Sequence, residues 1–457
     1  MLKPQFNRIQ DSTLTGKNSL GKEYSYQDIF AHWKTVNLPT GSTVIIMLPN
    51  SALLLKHFFA VLKIGLVPVL LAPNLPRERL MEIVTHFNAN AIVKVHVVED
   101  LFPQQTIHEF GAVQIAVSNM SANPLTQKGE VILMTSGTSG VSSGCVFDFS
   151  MLIKNAKKNA KVLGLTKEDI VLVNLPLYYS YAFVAQALSS MVIGAKLIIC
   201  GPPFNLDWYR KTIQHYQVTA SSLTPILAKQ IVMDAIKLPN SLRLLTIGGD
   251  RIGRDYVKAL LALLPGKEIY LTYGLTQAGP RVFTLAAHSC NPELLETMGE
   301  PLPGTQIFLD QTQGPEGVGE LLIESDTVMK RRIGIVDRNK KNELVNRRLH
   351  TGDLFQQDAN GNLAFYSRKN EFISIEGEKV CLASIKRIVK KLPNVLTAMT
   401  KVVEVQDHTT YDLTVVVHKA ILNQQQYIKN IHQLLPRSHW PHDIRFEKQD
   451  SISGLLK

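Results

Sequence analysis

Cysteine is scarce in this chain. The four that occur (Cys145, Cys200, Cys290 and Cys381) lie far apart and form no C-x-x-C pair. Their spacing argues against a zinc site or a disulfide framework and fits a reducing cytosol, so a cytoplasmic location is expected. Long apolar runs are missing too. Residues 1–7 contain no apolar core of the kind a secretory leader carries. The most membrane-like stretch, residues 52–73, is interrupted by Lys56, His57, Lys63 and two prolines. It reads as a buried helix followed by a buried strand, and no membrane span is expected. Repeats and low-complexity tracts are absent. Acidic residues are the minority charge, 38 against 49 basic, for a formal net charge of +11.

What remains is the composition of a globular protein. Of 457 residues, 45% are hydrophobic and 19% charged, enough chain for two or three domains around large cores. The basic surplus collects at Lys330-Arg331-Arg332, Lys340-Lys341, Arg347-Arg348, Lys386-Arg387 and Lys390-Lys391. Two readings of these runs stand: a solvated surface, or a dock for an acidic partner or anionic ligand. Nucleic acid is not expected, because the runs lack interleaved aromatics and no nucleic-acid fold signature accompanies them.

Helical and strand periodicities alternate over the first two thirds. Residues 24–34 and 50–64 space their apolar side chains as amphipathic helices. Residues 42–47, 65–73, 91–95, 113–117, 170–174, 195–200, 220–223 and 244–247 read as short buried strands. Such alternation predicts an α/β fold, with parallel sheets covered by helices on both faces. After about residue 290 short strands and turns take over, as at 305–309, 319–323 and 362–366. Residues 367–457 read as a separate small α+β unit, with strands at 398–405 and 411–417. The expected division is therefore a large domain, 1–366, with a β-rich subdomain at about 290–366, and a small C-terminal domain, 367–457.

One loop stands out. The apolar strand Val131-Ile132-Leu133-Met134 feeds Thr135-Ser136-Gly137-Thr138-Ser139-Gly140, and Val141-Ser142-Ser143-Gly144 leads back to Cys145-Val146-Phe147. Glycines permit close backbone approach, and successive N–H groups with hydroxyls form a concavity suited to phosphate oxygens. No Gly-Lys-Ser/Thr follows, so this is not a G-x-x-x-x-G-K-[ST] P-loop. A Ser/Gly-rich surface turn shares the composition, and only further motifs separate the two.

Further motifs are present. Thr135 to Gly140 resembles the phosphate-binding loop of the adenylate-forming superfamily, which includes acyl- and aryl-CoA synthetases, luciferases and peptide-synthetase adenylation domains. Six more stretches resemble motifs of that superfamily in the expected order. Pro176-Leu177-Tyr178-Tyr179-Ser180-Tyr181 is similar to a Pro-Leu/Met-Phe-His-x-Tyr stretch, and Thr246-Ile247-Gly248-Gly249-Asp250 to a Ser-Gly-Gly-Glu turn. Tyr273-Gly274-Leu275-Thr276-Gln277 is similar to Tyr-Gly-x-Thr-Glu, Met298 to Gly304 to a structural turn, and Thr351-Gly352-Asp353 to Thr-Gly-Asp. Ser367-Arg368-Lys369-Asn370 resembles Gly-Arg-x-Asp.

The resemblance implies roles. Thr135, Ser136, Gly137, Thr138, Ser139, Gly140, Gly249, Asp250, Tyr273, Gly274, Thr276, Asp353 and Arg368 would bind ATP. Among them Tyr273 would stack on adenine, Asp353 would accept the ribose hydroxyls, and Thr138 and Thr276 would act on the phosphates. Gln277 stands where the family glutamate holds magnesium; an amide oxygen can ligate the ion without the carboxylate's charge. Tyr179, Tyr181 and Gly248 would line the acid pocket. No aspartate lies near that stretch to hold a substrate ammonium, which disfavours an α-amino acid. Asn370 would be the hinge about which a mobile small domain rotates, and Gly377 part of the loop lining the thiol tunnel. At the last motif, Ser453-Gly454-Leu455-Leu456-Lys457, Leu455 occupies the family's catalytic-lysine position. Lys457 either substitutes, two positions along an extended segment (about 7 Å), or is a solvated lysine.

The implied activity is ATP- and Mg2+-dependent activation of a fatty or aryl acid as an acyl-adenylate, then transfer to the thiol of CoA or of an acidic carrier protein's phosphopantetheine. A second reading stays open. Four charged positions of the family pattern are neutral at Ser143, Gln277, Ser374 and Leu455. Each lost contact to developing charge typically costs about 3 kcal/mol, so a nucleotide- or acyl-binding scaffold without turnover is the alternative.

Overall fold

The computed structural model describes residues 4–13, 24–96, 100–119, 123–135, 143–201, 204–311, 317–334, 343–375, 378–405 and 408–448. Two eight-stranded sheets dominate. In the first, Ile9–Asp11, Lys196–Ile199, Ile170–Val173, Ala220–Leu223, Leu244–Gly248 and Glu268–Gly274 lie parallel in that spatial order. Arg281–Ala286 and Glu300–Pro301 then close the edge antiparallel. In the second, Glu130–Met134, Val67–Leu70, Thr43–Met47 and Ala89–Lys94 form a parallel centre. Antiparallel strands flank it on both sides, Ser143–Asp148 and Arg331–Gly334 on one and Val113–Ser118 and Gln105–Phe110 on the other. The parallel centres are what the alternating periodicity predicts. Their antiparallel rims are not, since hairpins such as Gln105–Phe110 with Val113–Ser118 have no crossover helix to betray them.

Local sequence explains the covering helices. Ser51 caps Ala52–Lys63 by accepting from the Leu54 N–H, and Ser25 and Asp28 form a reciprocal capping box ahead of Tyr26–Trp33. Asn205 caps Leu206–Tyr216 in the same way. Ala52–Lys63 buries Leu54, Leu55, Phe58 and Phe59 between the sheets, where Phe58 meets Phe183 at 4.6 Å between ring centres. Among the described residues no helix is long and apolar enough to cross a membrane.

A five-stranded antiparallel sheet follows: Thr305–Asp310, Val318–Ser325, Arg348–Gln357, Leu344–Val345 and Leu363–Arg368. Beyond it, a hairpin (Phe372–Ile375, Glu378–Cys381) and a three-stranded sheet (Val395–Val405, His408–Val417, Asp443–Lys448) pack with helices Leu382–Val389 and Gln424–Leu434. They enclose a core of their own around Val380, Ile385, Val389, Tyr411, Leu413 and Ile431. This segment meets the rest of the chain through Leu396 and Val416 against Ile226, and through Lys229 Nζ donating to the Leu396 carbonyl at 2.9 Å.

The basic runs lose much of their surface character. Lys330 and Arg331 both bond to the buried Glu130, and Arg332 bonds to Glu343. Lys386 pairs with Glu371 and Lys390 with Asp250. In the run 330–332, Lys330 and Arg331 keep part of their side chains at the surface while the Arg332 side chain is buried, and all three form ion pairs with carboxylates 11 to 201 residues away in sequence.

Candidate active site

Three strands converge on Asp353. Arg348–Gln357 supplies Asp353 itself, the antiparallel neighbour Leu363–Arg368 places Arg368 directly opposite, and Glu268–Gly274 brings Tyr273 from the first large sheet. The Tyr273 hydroxyl donates to Asp353 Oδ2 at 2.7 Å, and Arg368 Nε lies 3.0 Å from Oδ1. Burial pushes the Asp353 carboxyl up from its ordinary value, against the opposing pull of Arg368 and the Tyr273 hydroxyl. Burial, and then the Asp353 charge, push Tyr273 well above 10, so its hydroxyl keeps its proton and stays a donor. The ring meets Phe355 edge-on at 5.3 Å.

A second cluster lies where the chain leaves Tyr273. A Cβ added at Gly274 would sit 1.9 Å from the Pro280 carbonyl oxygen, so only glycine lets this turn close. The turn carries Thr276, whose Oγ1 is 2.9 Å from Ser180 Oγ, and Gln277, whose Nε2 donates to Glu343 Oε1 at 2.8 Å. Glu343 accepts two hydrogen bonds from Arg332, whose side chain is only 5% exposed. Arg332 Nη1 also donates to Ser143 Oγ at 3.0 Å, and Ser143 Oγ is 3.1 Å from Thr135 Oγ1. One chain of contacts therefore runs from Gln277 through Glu343 and Arg332 to Ser143 and Thr135, the residues on either side of the Gly/Ser/Thr loop.

The remaining expected residues divide into two groups. Tyr181 opens a π-helical turn, Tyr181–Leu188, a geometry frequent at functional sites. Its hydroxyl lies 3.1 Å from Thr246 Oγ1, on the strand that ends at Gly248. Tyr179 is half-buried with its ring 4.6 Å from that of Tyr178. Gly249 has φ +97°, and Asp250 beside it holds Lys390 at 2.8 Å. Burial alone would raise the Asp250 carboxyl, but Lys390 outweighs it and holds it below the usual range. Asn370 lies exposed in the short turn Lys369–Glu371. Ser136, Gly137, Thr138, Ser139, Gly140, Gly377 and Lys457 fall outside the described residues.

Sequence reading missed Arg332, Glu343, Ser180 and Arg281. Arg332 was visible only as one member of a basic run, and Glu343 had no motif around it.

Comparison with known proteins bears on the whole arrangement. The model of the family described as AMP-binding enzyme matches residues 31–331. The chain belongs to that family. Among relatives of this AMP-binding enzyme is the 2-succinylbenzoate–CoA ligase of Lactococcus lactis, 26% identical over 78% of this chain and 75% of that protein. The ligase of the same name from Oceanobacillus iheyensis is 22% identical over 88% of this chain and 85% of its own length. Among solved structures, the Bacillus subtilis o-succinylbenzoate coenzyme A synthetase in complex with AMP superposes with a TM-score of 0.77 at 19% identity. That match covers 98% of this chain and 95% of the synthetase. An amide bond synthetase from Marinactinospora thermotolerans superposes at 0.71 and 18% identity, covering 93% of this chain and 92% of its own. These likenesses agree on the fold: a large α/β unit followed by a small one.

Proposed function

We propose that this AMP-binding enzyme activates a carboxylic acid with ATP and transfers the acyl group to the thiol of CoA. The observation that carries the reading is the meeting of Tyr273, Asp353 and Arg368 from three separate strands. A buried carboxylate flanked by an aromatic hydroxyl and a guanidinium suits a ribose, because it is acceptor-only and has lone pairs beyond the two already engaged. Tyr273 supplies the ring beside the base, and Thr276 and Thr135–Gly140 take the phosphates.

In the first step a substrate carboxylate oxygen attacks the α-phosphorus, and the bond to pyrophosphate breaks. In the second, a thiol sulfur attacks the acyl carbon, the C–O bond to AMP breaks, and the thiol proton is lost. Both steps depend on positioning and on neutralising phosphate charge. Gln277 turns its amide nitrogen to Glu343, whose two oxygens are engaged by Arg332 and Gln277, so magnesium would be held by the Gln277 amide oxygen together with substrate phosphates. Bound there, the ion would neutralise phosphate charge. Arg332 brings a cation to Ser143 and Glu343 brings an anion to Gln277. These are two of the positions where the family pattern has a lysine and a glutamate; the neighbouring charges have the matching signs and are paired with each other.

Tyr179, Tyr181 and Gly248 line the acid pocket in this reading. The two units, 1–366 and 367–457, hinge at Asn370, Gly377 lies in the loop along the thiol path, and Lys457 takes the catalytic-lysine role. CoA is favoured over a carrier protein, because Lys386 and Lys390 are already engaged by Glu371 and Asp250. The relatives' names also specify CoA ligases.

The test is pyrophosphate release from ATP and magnesium across aryl, fatty and α-amino acids. Release with aryl or fatty acids and none with α-amino acids is expected. No release from any acid, with ATP binding still measurable by calorimetry, would replace the ligase with a nucleotide-binding scaffold.

A further inference from the structure

Arg281 begins the antiparallel strand next to the edge of the first sheet, immediately after the turn that carries Thr276 and Gln277. The residue is 5% exposed. Its main chain is fixed by Asn155, which accepts from the Arg281 N–H at 3.1 Å and donates to its carbonyl at 2.9 Å. Its side chain has no carboxylate partner among the described residues, and the buried Nε has no hydrogen-bond acceptor there. The guanidinium carbon sits 4.0 Å from the centre of the Tyr181 ring. Stacking covers one face of the guanidinium but satisfies none of its five in-plane donors. Buried charges are otherwise paired. This one lies beside Gly248 and Tyr181, two of the three residues assigned to the acid pocket.

We infer that Arg281 is the anion socket of that pocket, and that the substrate is a diacid whose second carboxylate docks on it. The inference rests on the ligase reading for which carboxylate reacts. The reacting carboxylate is not the occupant. Ser180 and Tyr181 are consecutive, yet Ser180 meets Thr276 while Tyr181 meets Thr246 and Arg281. Thr276 and the arginine thus contact different members of this pair. A carboxylate clamped in a guanidinium fork also has its lone pairs engaged and is a poor nucleophile. A planar bidentate donor suits a carboxylate better than lysine would.

The experiment uses the full chain and matched acids: 2-succinylbenzoate against 4-oxo-4-phenylbutanoate, and suberate against octanoate. Binding is followed by calorimetry and melting temperature, and turnover by pyrophosphate release. The diacid of at least one pair should bind tenfold or more tighter than its monoacid. Arg281→Gln should abolish that preference while ATP affinity stays within twofold, and Arg281→Lys should restore part of it. Without ligand, Arg281→Met should melt no lower than the native chain, because it removes an unpaired buried charge.

Equal binding of both members of every pair would overturn the inference. So would loss of diacid, monoacid and ATP binding together in Arg281→Gln, which is the signature of a structural arginine. Diacid-selective binding without pyrophosphate release would refute the ligase reading and leave the socket standing.

Discussion

Arg332 and Arg281 each surrender nearly all of their surface to the interior, one facing the Glu343 carboxylate and the other the ring of Tyr181. Around Arg332, charge is answered by charge within the chain, and the cluster is complete as it stands. Around Arg281, among the described residues, it is answered only by an aromatic face. Equal burial thus has two meanings. The first arginine helps to hold two ends of a loop in place, and the second is a cost the fold carries for a ligand. The neighbours of Arg332 follow its pattern, since Lys330 and Arg331 converge on Glu130.

Converting the first kind of site into the second carries the largest cost. Glu343→Gln leaves Arg332 buried without its anion, and urea unfolding should show a loss of about 3–5 kcal/mol. The double change Arg332→Met with Glu343→Leu should recover most of it, because a well-packed apolar pair removes both desolvation costs. Glu130 sharpens the contrast through pH. Burial would raise this carboxyl, but hydrogen bonds from Arg331, Lys330 and the Gln127 N–H outweigh it and hold it at about 2, against an ordinary 4.5. The folded value lies below the unfolded one, so the stabilisation is complete above about pH 4.5 and is lost as pH falls towards 2. It amounts to about 3 kcal/mol. Glu130→Gln should therefore destabilise by roughly that much at pH 7 and by progressively less at pH 4 and pH 3 in the same urea assay. The smallest effect belongs to the unpaired site, where Arg281→Met should raise stability by about 1 kcal/mol, the relieved desolvation being partly offset by the lost stacking on Tyr181.

Much of the fold was legible in the sequence because each parallel strand is a short apolar run between helical periodicities. Residues 220–223 and 244–247 needed nothing more. The antiparallel rims were not legible, since Arg331–Gly334 looks charged and pairs with Ser143–Asp148 far upstream. The site divides in the same way. Tyr273, Thr276 and Asp353 sit in ordered motifs, which single them out as candidates from sequence alone. That Tyr273 donates to Asp353, 80 residues away, is not legible there. Arg332 shows the limit most clearly: it reads as one more surface cation of a basic triplet until Glu343, which engages it, is placed in space.

The parting of Ser180 and Tyr181 gives the molecule modularity. In the proposed reading, one hydroxyl serves the phosphate side and the next residue's ring serves the acid side, so two adjacent codons address two different problems. Changes at Arg281 or Tyr181 can retune which acid is accepted while Ser180 and Thr276 stay as they are. Substrate range in such a protein can drift without renegotiating its use of ATP.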